Sequence, residues 1–253
     1  MPSGSVPPVS DLWYDDVGAG PPVVLLHEGV VDSRIWGPIV PLLVGDLRVI
    51  RYDQRGFGNS PMWTGPYSPV DDLVSVLDAA GVERPALVGA SRGGRIALEA
   101  ALERPERVSA LVLVGSGLSG HPIELEVTRD QEARWENAEA AADYTAMAEL
   151  DMEIWAPLGT DEALRAMFIE NARASNSDDP AVELEAASRL GEIRVPTLVV
   201  SGARDVPAMT EIGDILHRRI TGAVRAVIEE ADHMIPWRSP EELSHVVVSF
   251  LLR

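Results

Sequence analysis

Residues 88–98 read VGASRGGRIAL, and within them Gly89 and Gly93 stand two residues to either side of Ser91, the pattern G-x-S-x-G. An apolar run, Ala86-Leu87-Val88, precedes the motif and a helix-like run, Ile96-Ala97-Leu98, follows it. That order is strand, sharp turn, helix. A serine raised out of such a turn sits on a strained backbone, and its neighbours must be small for the chain to close around it. The first amides of the next helix then point toward whatever the hydroxyl attacks, where the positive helix end favours a developing oxyanion. The same letters also fit a glycine-rich turn that only packs closely, so the choice between nucleophile and tight turn falls to the flanking sequence.

On either side the pattern alternates. Short apolar runs at 23–26, 48–52, 86–88 and 110–114 are bounded by turn residues and read as buried parallel strands. Helical patterns at 35–43, 69–80 and 93–102 lie between them, the second closed by Gly81. This βαβαβαβ order predicts a doubly wound α/β sheet. From 121 to 190 the strand signal disappears, replaced by acidic, alanine-rich helical segments such as RDQEARWENAEAAADYTAMAEL, broken near 157–159 and 175–180. Alternation resumes with VPTLVVSG at 195–202, a helix over 209–220, a strand over 224–228 and a last helix over 241–252. The predicted organisation is one core built from 1–120 and 191–253, interrupted by a helical cap at 121–190. The first ten residues, rich in Pro, Ser and Gly, are expected to be loosely held.

Composition narrows the chemistry. Of 253 residues, 46% are hydrophobic, enough for a substantial single core. Forty acidic residues against 21 basic ones give a net charge of −19, which disfavours nucleic acid and anionic membranes as partners. Every basic residue is arginine, so Schiff-base chemistry, a lysine base and a lysine-anchored cofactor are excluded. The absence of cysteine removes thiol nucleophiles, disulfides and thiolate metal sites. With no signal-like or membrane-length apolar segment, a cytoplasmic location is expected.

Ligands of an open parallel sheet bind beyond the C-terminal strand ends. Reading off those ends gives His27-Glu28-Gly29, Asp53, Ser91, Gly115-Ser116, Asp205 and Asp232-His233. A serine hydroxyl needs a base to take its proton, and the base needs an acceptor to hold its tautomer and stabilise its cation. His233 and Asp205 fit those roles, in the chain order Ser, Asp, His.

The strand VVLLH with Trp36 beyond it, the run YDQRGFGNS at 52–60, GASRGG, SGARDVP at 201–207 and ADHMIPWRSPEEL at 231–243 together resemble the α/β-hydrolase fold family over nearly the whole chain. The resemblance implies an eight-stranded-type sheet with the cap inserted after strand 6. It further implies a Ser91 nucleophile, an Asp205 orienting acid, a His233 base, and oxyanion donors on the backbone amides of Gly29 and Arg92. It makes His27 a buried buttress of the oxyanion loop and Asp53 a structural anchor of nearby turns, while Asp232 most simply supports a turn.

Two positions depart from the family pattern. The usual strand-end His-Gly is here His27-Glu28, and the residue after the nucleophile, commonly apolar, is Arg92. A lone buried carboxylate beside an oxyanion hole is costly and opposes catalysis, so a Glu28–Arg92 ion pair is expected, with Arg34 and Arg95 as competing partners. A serine at the elbow, where haloalkane dehalogenases and epoxide hydrolases carry aspartate, points to acyl transfer.

The implied activity is cofactor-independent hydrolysis of a small carboxylic ester or lactone through an acyl-enzyme, with no metal. Alternatives on the same scaffold are a C–C hydrolase, a lyase, a cofactor-free peroxidase, or a ligand receptor with little turnover. Candidate pocket residues are Glu28, Trp135, Trp155 and Trp237, with Trp63 a further aromatic. Met147, Met152, Met167 and Phe168 are candidate lid walls, and Arg129, Arg134, Arg165 and Arg173 are candidates to meet a dicarboxylate.

Overall fold

A computed structural model describes residues 10–182 and 184–253 of the chain; the expectation for the first residues lies almost wholly outside them. Seven strands form one sheet: β1 (Tyr14–Gly18), β2 (Pro22–Leu26), β3 (Arg48–Tyr52), β4 (Ala86–Ala90), β5 (Ala110–Val114), β6 (Thr197–Gly202) and β7 (Val224–Ile228). Their order is β1-β3-β2-β4-β5-β6-β7, with β1 antiparallel to β3 and every other pairing parallel.

This corrects the predicted strand count: the described residues hold seven strands, and the helical block follows the fifth of them. The additional strand at the N-terminal edge is β1, whose sequence YDDVG has no apolar alternation. As an edge strand it need not be apolar on both faces. Its acids meet arginines of β3 instead, Asp16 pairing with Arg48 and Asp15 with Arg51.

The central strands β2, β4, β5 and β6 are buried on both faces because helices cover both. On one side, Val23, Leu25, Val88 and Val112 pack against Ile35, Trp36 and Leu43, the last from α1 (Val40–Leu43), and against Leu243 and Val247 of α9 (Pro240–Leu251). On the other, Val24, Leu26, Leu87 and Leu111 pack against α2 (Pro69–Ala79), α3 (Arg92–Glu103) and α7 (Pro207–Arg219). Each such fully buried side chain contributes about 1.5–3 kcal/mol. Helix α2 shows the local logic: Ser68 accepts the Asp71 N–H, Pro69 opens the first turn, two aspartates sit at its positive end, and Gly81 (φ +64°) follows its last turn.

Between β5 and β6 lie α4 (Arg129–Ala140), α5 (Tyr144–Trp155) and α6 (Glu162–Ser175), capped by Thr128, Asp143 and Asp161 respectively. Met152, Met167 and Phe168 from α5 and α6 join the same core cluster as Trp36. A short helix, α8 (Ile235–Arg238), precedes α9. Strand order reverses between β2 and β4, and the crevice opened at such a reversal is where these sheets bind ligands.

Candidate active site

Ser91 follows directly on β4 and stands at φ +50°, ψ −115°, while the next residue opens α3. Such a conformation costs a non-glycine residue on the order of 1–3 kcal/mol and persists only where the surroundings enforce it. Here the enforcement is steric. A Cβ on Gly89 would collide with the carbonyl of Gly93, and one on Gly93 with the carbonyl of Leu26. The glycines of the motif let helix and strands close beneath the serine.

His233 lies between β7 and α8, and Asp205 follows β6. Their side chains are 3% and 1% exposed, with His233 Nδ1 2.9 Å from Asp205 Oδ2 and 3.1 Å from Oδ1. The carboxylate fixes the tautomer: Nδ1–H donates and Nε2 keeps its lone pair. Asp205 Oδ1 also accepts the Val206 N–H. Burial alone would lower the His233 pKa, but the charge and hydrogen bond of Asp205 outweigh it and raise the group above its ordinary value. Gly115, at the end of β5 (φ +46°), leaves room for this pair: a Cβ there would stand 3.2 Å from Asp205 Oδ2 and 3.4 Å from His233 Nδ1.

Ser91 and His233 both open onto a cavity of about 1140 Å³, together with Gly29, Arg92, Trp135 and Trp155. Trp155 lies against His233, ring centroids 4.7 Å apart. The amide of Arg92 is the first of its helix and has no intrahelical acceptor. Of the residues the sequence singled out, Ser91, His233, Gly29 and Arg92 reach one volume, while Asp205 lies outside it, bonded to His233.

His27 behaves as a buttress. Gln54 N–H donates to its Nε2 at 2.9 Å, so Nδ1 carries the proton and donates to Glu28 O at 2.6 Å. Burial lowers its pKa and keeps it neutral. Asp53 accepts the backbone amides of Ser33 and Asn59, and Asp232 those of Met234 and Leu158, each tying loops together.

The expected Glu28–Arg92 ion pair does not form. Arg92 is spent elsewhere: its guanidinium donates to Gln54 Oε1 (2.8 Å), Asp179 Oδ2 (2.5 Å) and Tyr67 Oη (2.9 Å). Arg34 pairs with Asp32 and Glu170, and Arg95 with Glu99. Glu28 is fully buried, neither carboxyl oxygen has a hydrogen-bond partner of acceptable geometry, and it lies outside the cavity lining. Burial pushes its pKa up to about 7; its own amide, and the nearby His233, pull weakly the other way. Below about pH 7 the carboxyl keeps its proton and needs no counter-charge.

Other pocket candidates are also relocated. Trp237 lies outside the lining, its indole N–H donating to Asp161 Oδ2 at 3.0 Å. Trp63 stacks on Tyr67. Met147, Met152, Met167 and Phe168 are buried in packing rather than lining the cavity. Arg134 pairs with Glu153 and Arg165 with Glu149 on the helices between β5 and β6; none of the four arginines proposed for a dicarboxylate lines the cavity. Sequence reasoning missed the apolar wall formed by Leu118, Ile123, Leu125 and Val127, in an irregular stretch with no periodic signal, and the buried acid Asp151.

The fold and the site together define an α/β hydrolase-like protein in which a strained serine and a histidine open onto one pocket, the histidine bonded to a buried carboxylate. Residues 21–146 match the family model described as the alpha/beta hydrolase fold. The chain is 30% identical over 269 residues to the 2-hydroxy-6-oxononadienedioate/2-hydroxy-6-oxononatrienedioate hydrolase of Paraburkholderia xenovorans (strain LB400), covering 95% of this chain and 90% of that protein. It is 30% identical over 261 residues to the pimeloyl-[acyl-carrier protein] methyl ester esterase of Methylococcus capsulatus (strain ATCC 33009 / NCIMB 11132 / Bath), covering 95% and 98%. Among solved structures, Est816, described as an N-acyl homoserine lactone degrading enzyme, superimposes with a TM-score of 0.76 at 28% identity, over 95% of this chain and 96% of that one. The chain belongs to the α/β-hydrolase fold family.

Proposed function

We propose that the protein is a cofactor-independent serine hydrolase of small carboxylic esters or lactones, working through an acyl-enzyme on Ser91. The observation that carries this reading is the His233–Asp205 pair. It leaves an imidazole Nε2 lone pair beside a cavity into which a strained serine also opens.

Ser91 Oγ attacks the substrate carbonyl carbon as its proton passes to His233 Nε2, and Asp205 stabilises the imidazolium so formed. The carbonyl oxygen becomes an oxyanion, which the Arg92 amide meets at the positive end of α3 and the Gly29 amide meets from the loop after β2. Collapse expels the alkoxide, which takes the proton from His233. Water, activated by the same imidazole, then releases the acid; with a lactone both halves leave as one hydroxy acid. The segment 121–190 acts as the cap, walling the pocket with Trp135 and Trp155 while leaving it open to the water that deacylation consumes. A small-molecule ester or lactone is thus the partner this site takes. Among the described residues no helix is long and apolar enough to cross a membrane.

Turnover of a panel of p-nitrophenyl esters and lactones tests the reading. Ser91→Ala should lower kcat by about 10³ or more while its circular dichroism matches the parent. Parental rates in that variant would refute the acyl-enzyme.

A further inference from the structure

Helix α5 turns one face to the cavity, carrying Leu150, Asp151, Ile154 and Trp155. Asp151 precedes Trp155 by four residues, so it lies on the same face about 6 Å along the helix axis from the residue that covers the imidazole. Its residue is only 6% exposed. Asn176 donates to Oδ2 at 3.0 Å, and no cation reaches the carboxyl among the described residues. Burial pushes its pKa up to about 6, the mark of an acid desolvated without a counter-charge.

The rest of the cavity is unbalanced in the same sense. Both arginines that line it are paired with acids, Arg92 with Asp179 and Arg95 with Glu99. Glu132 and Glu136 of α4 also line it; both are exposed to solvent, and among the described residues neither has an ion pair. The fixed charge left over is negative. Trp135 and Trp155 add aromatic faces, which attract cations. A carboxylate-bearing substrate would meet repulsion here, and a neutral one would leave Asp151 desolvated for nothing.

We propose that Asp151, held by Asn176, is a specificity-determining residue that takes a positively charged ammonium group on the substrate, so that the preferred substrates are amino-bearing esters or lactones. The amine sits roughly one helical turn beyond the Trp155 wall, several bonds from the scissile carbonyl. This rests on the ester and lactone reading above.

The test compares three p-nitrophenyl esters of equal chain length, ω-aminohexanoyl, ω-hydroxyhexanoyl and heptanoyl, on the full chain. At pH 8 the amino ester should exceed the heptanoyl ester in kcat/KM by about tenfold, the scale of one desolvated charge contact. In Asp151→Asn the ratio should fall to about one. Because it is a ratio, it does not depend on the fraction of active enzyme. In the unsubstituted protein the ratio should also fall below about pH 6, as Asp151 takes a proton. The other titratable and charged groups on the cavity wall are Glu132 and Glu136 of α4, Arg92 and Arg95 of α3, His121 of the segment after β5, and His233. His233 must be neutral for every ester and so affects all three alike, and repeating the pH series in His121→Gln separates the Asp151 proton from any charge gained at His121. This pH arm stands even if Asp151→Asn fails to fold.

A second readout is independent of ester cleavage. Hexylammonium, but not hexanol, should protect Ser91 from a fluorophosphonate. If no ester is cleaved yet hexylammonium protects, the ester reading fails and the ammonium site stands. Equal ratios in the parent, a preference for the hydroxy ester, or equal protection by both additives would overturn the ammonium site.

Discussion

Trp155, at the last turn of α5, rests its indole on the imidazole of His233 with ring centroids 4.7 Å apart and planes inclined by 40°. The general base proposed here is thereby packed against the segment proposed to select substrate. Removing the indole should alter both the shape of the pocket and the freedom of the base. Trp155→Ala is therefore expected to change kcat/KM unequally across an ester panel, losing about tenfold or more on the short acyl chains that use this wall and least on the bulkiest. Uniform loss across the panel, with a parallel fall in Tm, would make Trp155 ordinary packing.

The pair behind it sets the pH dependence. His233 must be neutral to accept the Ser91 proton, so kcat/KM should rise with pH through the His233 pKa. Burial works to lower that pKa and Asp205 overcomes it, so the rise should lie above the ordinary histidine value. Asp205→Asn removes the opposing charge; the limb should move to lower pH and the plateau should fall by about 10²–10⁴. A pH profile that keeps its midpoint in this variant would place the orienting acid elsewhere.

Glu28 makes a prediction about stability. In the unfolded chain its carboxyl releases a proton near the ordinary 4.5, whereas burial in the folded chain holds the proton until about pH 7. Between those values the unfolded state binds fewer protons than the folded one, so stability falls as pH rises, by about 3 kcal/mol across the window. Glu28→Gln abolishes that loss. Its unfolding free energy relative to the parent should increase from pH 4.5 to pH 8, measured by urea titration at both values. A difference that stays constant between the two would show that Glu28 does not hold a proton in the fold.

The parts of this site that were legible in the sequence are those where local sterics leave little choice. Gly89 and Gly93 announce the elbow because any side chain there would strike the backbone of the crossing elements. Asp205 and His233 were placed by strand ends, since a parallel sheet presents those ends on one edge. Orientation across elements was not legible. Trp155 and Trp237 look alike in sequence, yet one faces the cavity and the other bonds Asp161, a difference set by how α5 and α8 pack. The Glu28–Arg92 expectation failed for the same reason. Charge balance alone suggested the pair, but Asp179, far along the chain, returns beside Tyr67 and claims the guanidinium. Asp151 carried a faint signal, an acid between apolar residues on a helix face, which only burial made readable. Strand β1 escaped notice because an edge strand can satisfy its acids with cross-strand arginines.

The most direct test of the account is the site of reaction with a fluorophosphonate, mapped by peptide mass spectrometry on the purified protein. Only a hydroxyl with a base at hand and an oxyanion hole in front of it attacks phosphorus quickly. The account predicts one adduct per chain, on the peptide containing Ser91, and none in Ser91→Ala. An adduct on another residue, or an unlabelled Ser91 in folded protein, would contradict it.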